Sequence, residues 1–165
     1  MTTDRDPRGE QPSGVSVVTA LTVGWVSFAA LAILGFGMLS YFADVDITRG
    51  GEAYRWGFIV GMVLTILGFA GVLGRVLLSP RPSYWSALLA GLAAAVVQLF
   101  AVGLAAVFAG LGVGTALGVM YLLVIGGVSL VTLLTGAIAA WIAIALRRTR
   151  SGRPHWPWED ENDPE

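Results

Sequence analysis

At 165 residues the chain has room for one domain, and 56 % apolar against 13 % charged residues leaves too little charge to cover a water-soluble surface. The class is therefore integral membrane protein. The absence of cysteine excludes disulfides, thiolate metal sites and cysteine nucleophiles, and the net charge of −1 offers no basic surface for nucleic acid.

All ten basic residues are arginine, which with abundant Ala, Gly and Val points to a GC-rich, bacterial coding genome. Charged residues lie only in 4–10, 44–55, 75–81 and 147–165, so residues 82–146 carry none. A run of about 20 apolar residues crosses roughly 30 Å of hydrocarbon as a helix. In chain order, a polar N-terminal tail (1–16) precedes a first span at 17–42. That span exceeds a signal-peptide core, so it is expected to stay uncleaved. ADVDITRGGEAYR, with a turn at Gly50-Gly51, leads to a second span at 56–78. SPRPS follows, where Pro80 and Pro82 end one helix and Ser83 caps the next. The third span is expected at 84–108. The uncharged turn AGLGVGT then leads to a long fourth span at 117–146, and a polar tail fills 147–165. The expected fold is an all-α transmembrane domain (17–146), a bundle of four helices with both termini cytoplasmic.

Arginines in short loops set orientation, because cytoplasmic loops retain them. Arg5, Arg8, Arg75, Arg81, Arg147, Arg148, Arg150 and Arg153 share one side of a four-span layout, and only Arg49 and Arg55 the other. A five-span reading, broken again at Gly126-Gly127, would export the strongest arginine cluster and is set aside for that reason. Aromatic residues agree with four spans: Tyr41, Tyr54, Trp56 and Tyr121 fall toward the outer headgroups, Tyr84 and Trp85 toward the inner.

Within the hydrocarbon the spans place no Asp, Glu, Lys, Arg or His, since Arg75 falls at the inner end of the second. Ion-coupled pumps keep an ionisable group at depth, and the single histidine, His155, lies in the tail, so no catalytic, cofactor or metal residue is assigned and an enzyme is not expected. The one strongly polar side chain at depth is Gln98. Helical periodicity puts it on a face with Gly91, Ala94, Ala95, Ala105 and Ala109, pointing into the bundle. Thr65 and Thr132 lie at similar depth as candidate partners. An interhelical hydrogen bond outweighs the sharper alternative, a transport path lined by Gln98, Thr65, Thr132 and Ser129.

Small residues mark where helices approach closely. Gly57, Gly61, Gly68 and Gly71 fall within about 80° of one another on the second span. Ser129, Thr132, Gly136, Ala140 and Ala143 make a small face on the fourth. Packing within the chain is the expected use of both stripes, with homo-oligomerisation the alternative. Asp44, Asp46, Thr48 and Glu52 suggest calcium only until the register is counted. An EF-hand loop from Asp44 needs Gly and Glu where Arg49 and Arg55 stand, so a solvated acidic loop is the better account.

The tail joins three parts. Arg147, Arg148, Arg150 and Arg153 lie next to the membrane as anchors. Trp156-Pro157-Trp158 cannot be helix interior, since Pro157 disfavours helix at Trp156. Five acids close the chain between Glu159 and Glu165. A topological anchor with a disordered acidic end is the plain reading, and a docking motif or an interfacial anchor at the tryptophans the sharper one. Four spans closing on Arg153-Pro154, Trp156-Pro157-Trp158 and Glu159 resemble small uncharacterised membrane proteins of high-GC actinobacteria. That resemblance covers layout, and it implies a lineage but no activity or site.

The sequence thus leads to a non-enzymatic membrane protein, a scaffold or accessory component acting with the lipid bilayer and with itself or a membrane partner. A small transport or channel subunit is the alternative. Fusion at residue 165 to a reporter active only in the cytoplasm is expected to give activity, and fusion at Gly50 none. A stably expressed but inactive terminal fusion would overturn the orientation.

Overall fold

The structure is a computed structural model that describes residues 15–43, 51–79 and 82–148. The acidic loop after residue 43 and the tail residues Arg150, Arg153 and Trp156-Pro157-Trp158 lie outside the described residues. Five helices follow in order: α1 (Val17–Ala43), α2 (Gly51–Leu78), α3 (Trp85–Phe108), α4 (Val113–Ile125) and α5 (Val128–Arg148). No proline falls inside any of them, so each backbone ladder runs unbroken between its ends. The Ser16 hydroxyl opens α1 by accepting the Thr19 N–H at 3.1 Å. At α3 the helix starts one residue later than expected. Tyr84 is the N-cap with no side-chain bond of its own, and Ser83 Oγ accepts the Trp85 N–H at 3.3 Å.

Four helices, α1, α2, α3 and α5, are long and apolar enough to cross a membrane. They pack in a ring in that order, each antiparallel to its neighbours. Along α2 and α3 the opposing numbers run in reverse: Gly57 faces Ala105, Gly61 faces Val102 and Gly68 faces Val97. On the α1–α5 seam Gly24 faces Ala143 and Gly35 faces Val131. Between α1 and α2, Phe28 stacks on Phe69 at 4.4 Å, and Phe36 meets Phe58 edge-on at 6.2 Å. Burial is unequal: 50 % of the most apolar window of α3 and of α5 is buried, against 22 % in α1 and α2. The inner pair is α3 and α5, and α1 and α2 turn broad faces such as Ile33, Leu34, Val63 and Leu67 outward.

The expected fourth span at 117–146 is not one helix. It divides at Gly126-Gly127 into α4 and α5, with Gly127 at φ 80°, a left-handed value that suits glycine. The break falls where the five-span reading placed it, but it does not add a crossing. Thirteen residues make a helix about 20 Å long, short of a roughly 30 Å core. The two ends of the bundle domain also meet, Arg147 Nη1 donating to the Val15 carbonyl at 3.1 Å, which requires an even number of crossings. The second helix departs from expectation as well, starting at Gly51 and not near residue 56.

Two apolar clusters fill the ring. One joins Ala20, Phe28, Phe69, Leu73, Ala94, Ala139, Ala140 and Ile144 in the half nearer Arg147. The other joins Val102, Val119, Leu123 and Val128, with Phe36, Leu39, Phe58 and Leu99 against them. The first depends on a backbone approach between α3 and α5. A Cβ on Gly91 would collide with the Leu133 carbonyl oxygen and lie 2.7 Å from the Ala137 nitrogen, and one on Gly136 would lie 3.0 Å from Gly91 Cα. These obstacles are backbone and cannot rotate away. Gly91→Ala is therefore expected to cost about 1–3 kcal/mol of stability or more. Gly71→Ala, where nothing lies within 4 Å, should stay within about 0.5 kcal/mol. Unfolding in detergent–denaturant titrations measures both, and equal losses would overturn this placement of the seam.

Candidate functional site

The residues that bear polar chemistry at depth meet in a thin layer between the two apolar clusters. Gln98 is brought there by the small face of α3, where Ala94, Ala95, Ala101 and Val102 are buried with it. Its side chain is fully enclosed, at 0 % exposure. An amide in hydrocarbon without partners costs several kcal/mol, so its bonds matter. Thr132 Oγ1 on α5 donates to Gln98 Oε1 at 2.7 Å, with the Val128 carbonyl of its own helix as second acceptor at 3.0 Å. On the other side Gln98 Nε2 donates to Met62 Sδ of α2 at 3.4 Å. The orientation of the amide follows from its neighbours: a thioether accepts but cannot donate, so the NH2 belongs on Met62 and the carbonyl on the hydroxyl. The layer thus ties α2, α3 and α5 through one side chain.

The other polar residues singled out in the sequence do not join it. Thr65 is equally buried, but its hydroxyl donates to the Gly61 carbonyl of its own helix at 2.7 Å. Thr135, which the sequence reading passed over, does the same toward Val131 at 2.8 Å. Ser129 Oγ is enclosed without a hydrogen-bond partner among the described residues. Chemically the layer offers a short hydroxyl–amide–thioether relay with no ionisable group.

The glycine stripe of α2 is narrower than its helical arc suggested. Gly57, Gly61 and Gly68 lie on the α3 seam, with Gly61 pressed against Val102, while Gly71 lies off it in open space. On α3, Ala105 faces Gly57, and Ala109 is exposed beyond the helix end, so the inward face closes on Ala106 instead. Gly136 stands at the closest α3–α5 approach. Sequence reasoning missed Met62, which carries no polar signal. It also missed Gly24 and Gly35, whose spacing of eleven, three helical turns, was the available sign.

At the end of the bundle where α5 stops, Arg147 reaches Val15, and its Nε is enclosed without a partner among the described residues. Arg148 holds its guanidinium carbon 4.6 Å from the centre of the Tyr84 ring, and Tyr84 leans on Trp141 at 6.3 Å. Comparison with known proteins finds no matching family model, curated protein or solved structure.

A double-mutant cycle tests the layer. Gln98→Leu and Thr132→Val are expected to couple by about 0.6–1 kcal/mol, the size typical of hydrogen bonds between membrane helices. Gln98→Leu and Thr65→Val should be additive. Coupling as large with Thr65 as with Thr132 would contradict the bonding pattern.

Proposed function

We propose that the chain is a non-enzymatic integral membrane protein of a bacterial cell membrane, a packing or interaction component with both ends cytoplasmic. The observation that supports it best is the use of Gln98. The one strong hydrogen-bonding side chain at depth is spent on Thr132 and Met62, which binds helices together and leaves no donor set converging on a space. A transport or channel subunit would draw Gln98, Thr65, Thr132 and Ser129 onto one path. Thr65 instead bonds within its own helix. The broad outer faces of α1 and α2 and the Trp156-Pro157-Trp158 tail are where this reading puts contact with lipid, a second copy or a partner. The arginine distribution supports the orientation.

Two measurements test the proposal. In proteoliposomes, solute or ion flux that Gln98→Leu abolishes would falsify it, because a packing component has no such flux to lose. In native membranes, changing Trp156 and Trp158 together to Ala is expected to strip specifically co-purifying partners while insertion and expression stay intact. Unchanged partners after that double substitution would remove the tail from the interaction surface.

A further inference from the structure

We propose that Arg148, Tyr84 and Trp141 form a built site for the phosphate of one anionic phospholipid, at the end of the bundle where α5 finishes beside the start of α3. The inference does not depend on which function the bundle serves.

Three side chains meet there, Arg148 and Trp141 from α5 and Tyr84 from the turn that opens α3. The Arg148 guanidinium stacks over the Tyr84 ring at 4.6 Å, and that ring leans on Trp141 at 6.3 Å. Stacking occupies the face of the guanidinium and leaves its N–H edge available, the edge that matches phosphate oxygens in a fork. No acceptor among the described residues takes a hydrogen bond from that edge, from the Trp141 indole N–H or from the Tyr84 hydroxyl. A phosphodiester supplies the acceptor that the guanidinium edge lacks.

Charge points the same way. The charged side chains described near this end are Arg75, Arg147 and Arg148, and Glu52, the one acidic residue in the described ranges, belongs to the first turn of α2, at the other end of that helix from Arg75. Arg147, turned inward to Val15, adds positive charge without blocking the outer face. The site is also amphiphilic. Leu88 stands one turn beyond Tyr84 and Ile138 one turn before Trp141, 46 % and 48 % exposed, so apolar surface runs from the cationic edge toward the middle of the helices. A headgroup on Arg148 would lay its acyl chains along that surface. A free phosphate ion shares the headgroup chemistry but cannot use the apolar half.

Native mass spectrometry of the intact protein in mild detergent, titrated with phosphatidylglycerol or phosphatidylcholine, tests the site. The parent is expected to retain one phosphatidylglycerol with about a fivefold preference, the size expected of one arginine beside an anionic headgroup. Arg148→Gln and Tyr84→Leu should each bring the preference to parity. Arg75→Gln, a change of the same charge outside the shelf, should leave it within about twofold of the parent. Unchanged circular dichroism shows that each variant is folded. Should Tyr84→Leu fail that check, Tyr84→Phe keeps the stack and is expected to retain most of the preference. Equal loss from Arg75→Gln and Arg148→Gln would overturn the site in favour of diffuse surface charge. Displacement of the lipid by millimolar inorganic phosphate would overturn it in favour of a plain anion site. Binding that appears only after truncation at Gly152 would overturn it, since the occupant in the full chain would then be the chain's own acidic end.

Discussion

The approach of α3 to α5 at Gly91 and Gly136 is the constraint on which the rest of the bundle depends. In hydrocarbon, lipid tails are as apolar as leucine, so burying apolar surface gives helices little reason to associate. What remains is dispersion between closely fitted atoms and the few hydrogen bonds available, and both grow as backbones approach. Glycine at both positions brings the two backbones into direct contact. Ala94, Ala139, Ala140 and Ala143 continue the same small-residue surface along the helices, and all are fully buried. The two outer helices then close on this pair, α2 through Gly61 and Gly68 and α1 through Gly24 and Gly35.

The glycine contact also fixes register, and register decides which polar groups meet. With Gly91 opposite Gly136, the next contact up the antiparallel seam sets Gln98 opposite Thr132. The bond itself contributes about 1 kcal/mol at most. Its larger role is negative, since a shift of the seam would leave the Gln98 amide in hydrocarbon with nothing to bond, at a cost of several kcal/mol. Packing alone could tolerate small slips along an alanine face. The amide makes them expensive, so the weak bond reinforces the register that the glycine contact sets.

The first three spans were legible because each is a long apolar run bounded by charged, proline-bearing or glycine-rich segments. The fourth was misread because α4 and α5 are both apolar, and a run of hydropathy cannot register a break that no polar residue marks. Gly126-Gly127 was visible as a sign, but whether it marks a new crossing depends on how α5 registers against α3, which only contacts reveal. The inward aim of Gln98 followed from the small residues around it. Its partner did not, because Thr65 and Thr132 lie at similar depth and differ only in where a freely placed hydroxyl turns. The α2 stripe was drawn too wide for a related reason. An outer helix with few buried positions meets its neighbour along a narrow line, and Gly71 stands just off it.

The same register explains why α4 exists as a separate piece. The 21 residues of α5 already extend about 31 Å, enough to cross without help. Aligned through Gly136 and Thr132, α5 begins beside Val102, and α3 continues six residues further to Phe108. A single straight helix from residue 113 would run its first turns past the end of α3 at Phe108, with nothing of α3 to pack on. The turn at Gly127 redirects the chain: α4 packs Val119 and Leu123 with Val102 and sets Met120 against Gly103, covering the end of α3 that α5 does not reach. The cost is confined to the junction. Gly126 N–H reaches back to Leu122 and Gly127 N–H to Val124, and the ladder resumes from Val131 to Gly127, so the amides between are left outside it. Such an interruption is tolerated in a membrane only where protein surrounds it. Here Val128 is buried in the second cluster and Leu39 of α1 packs on Gly127, while Val124, Ile125 and Leu130 stay exposed, so the bundle covers the inner side of the break.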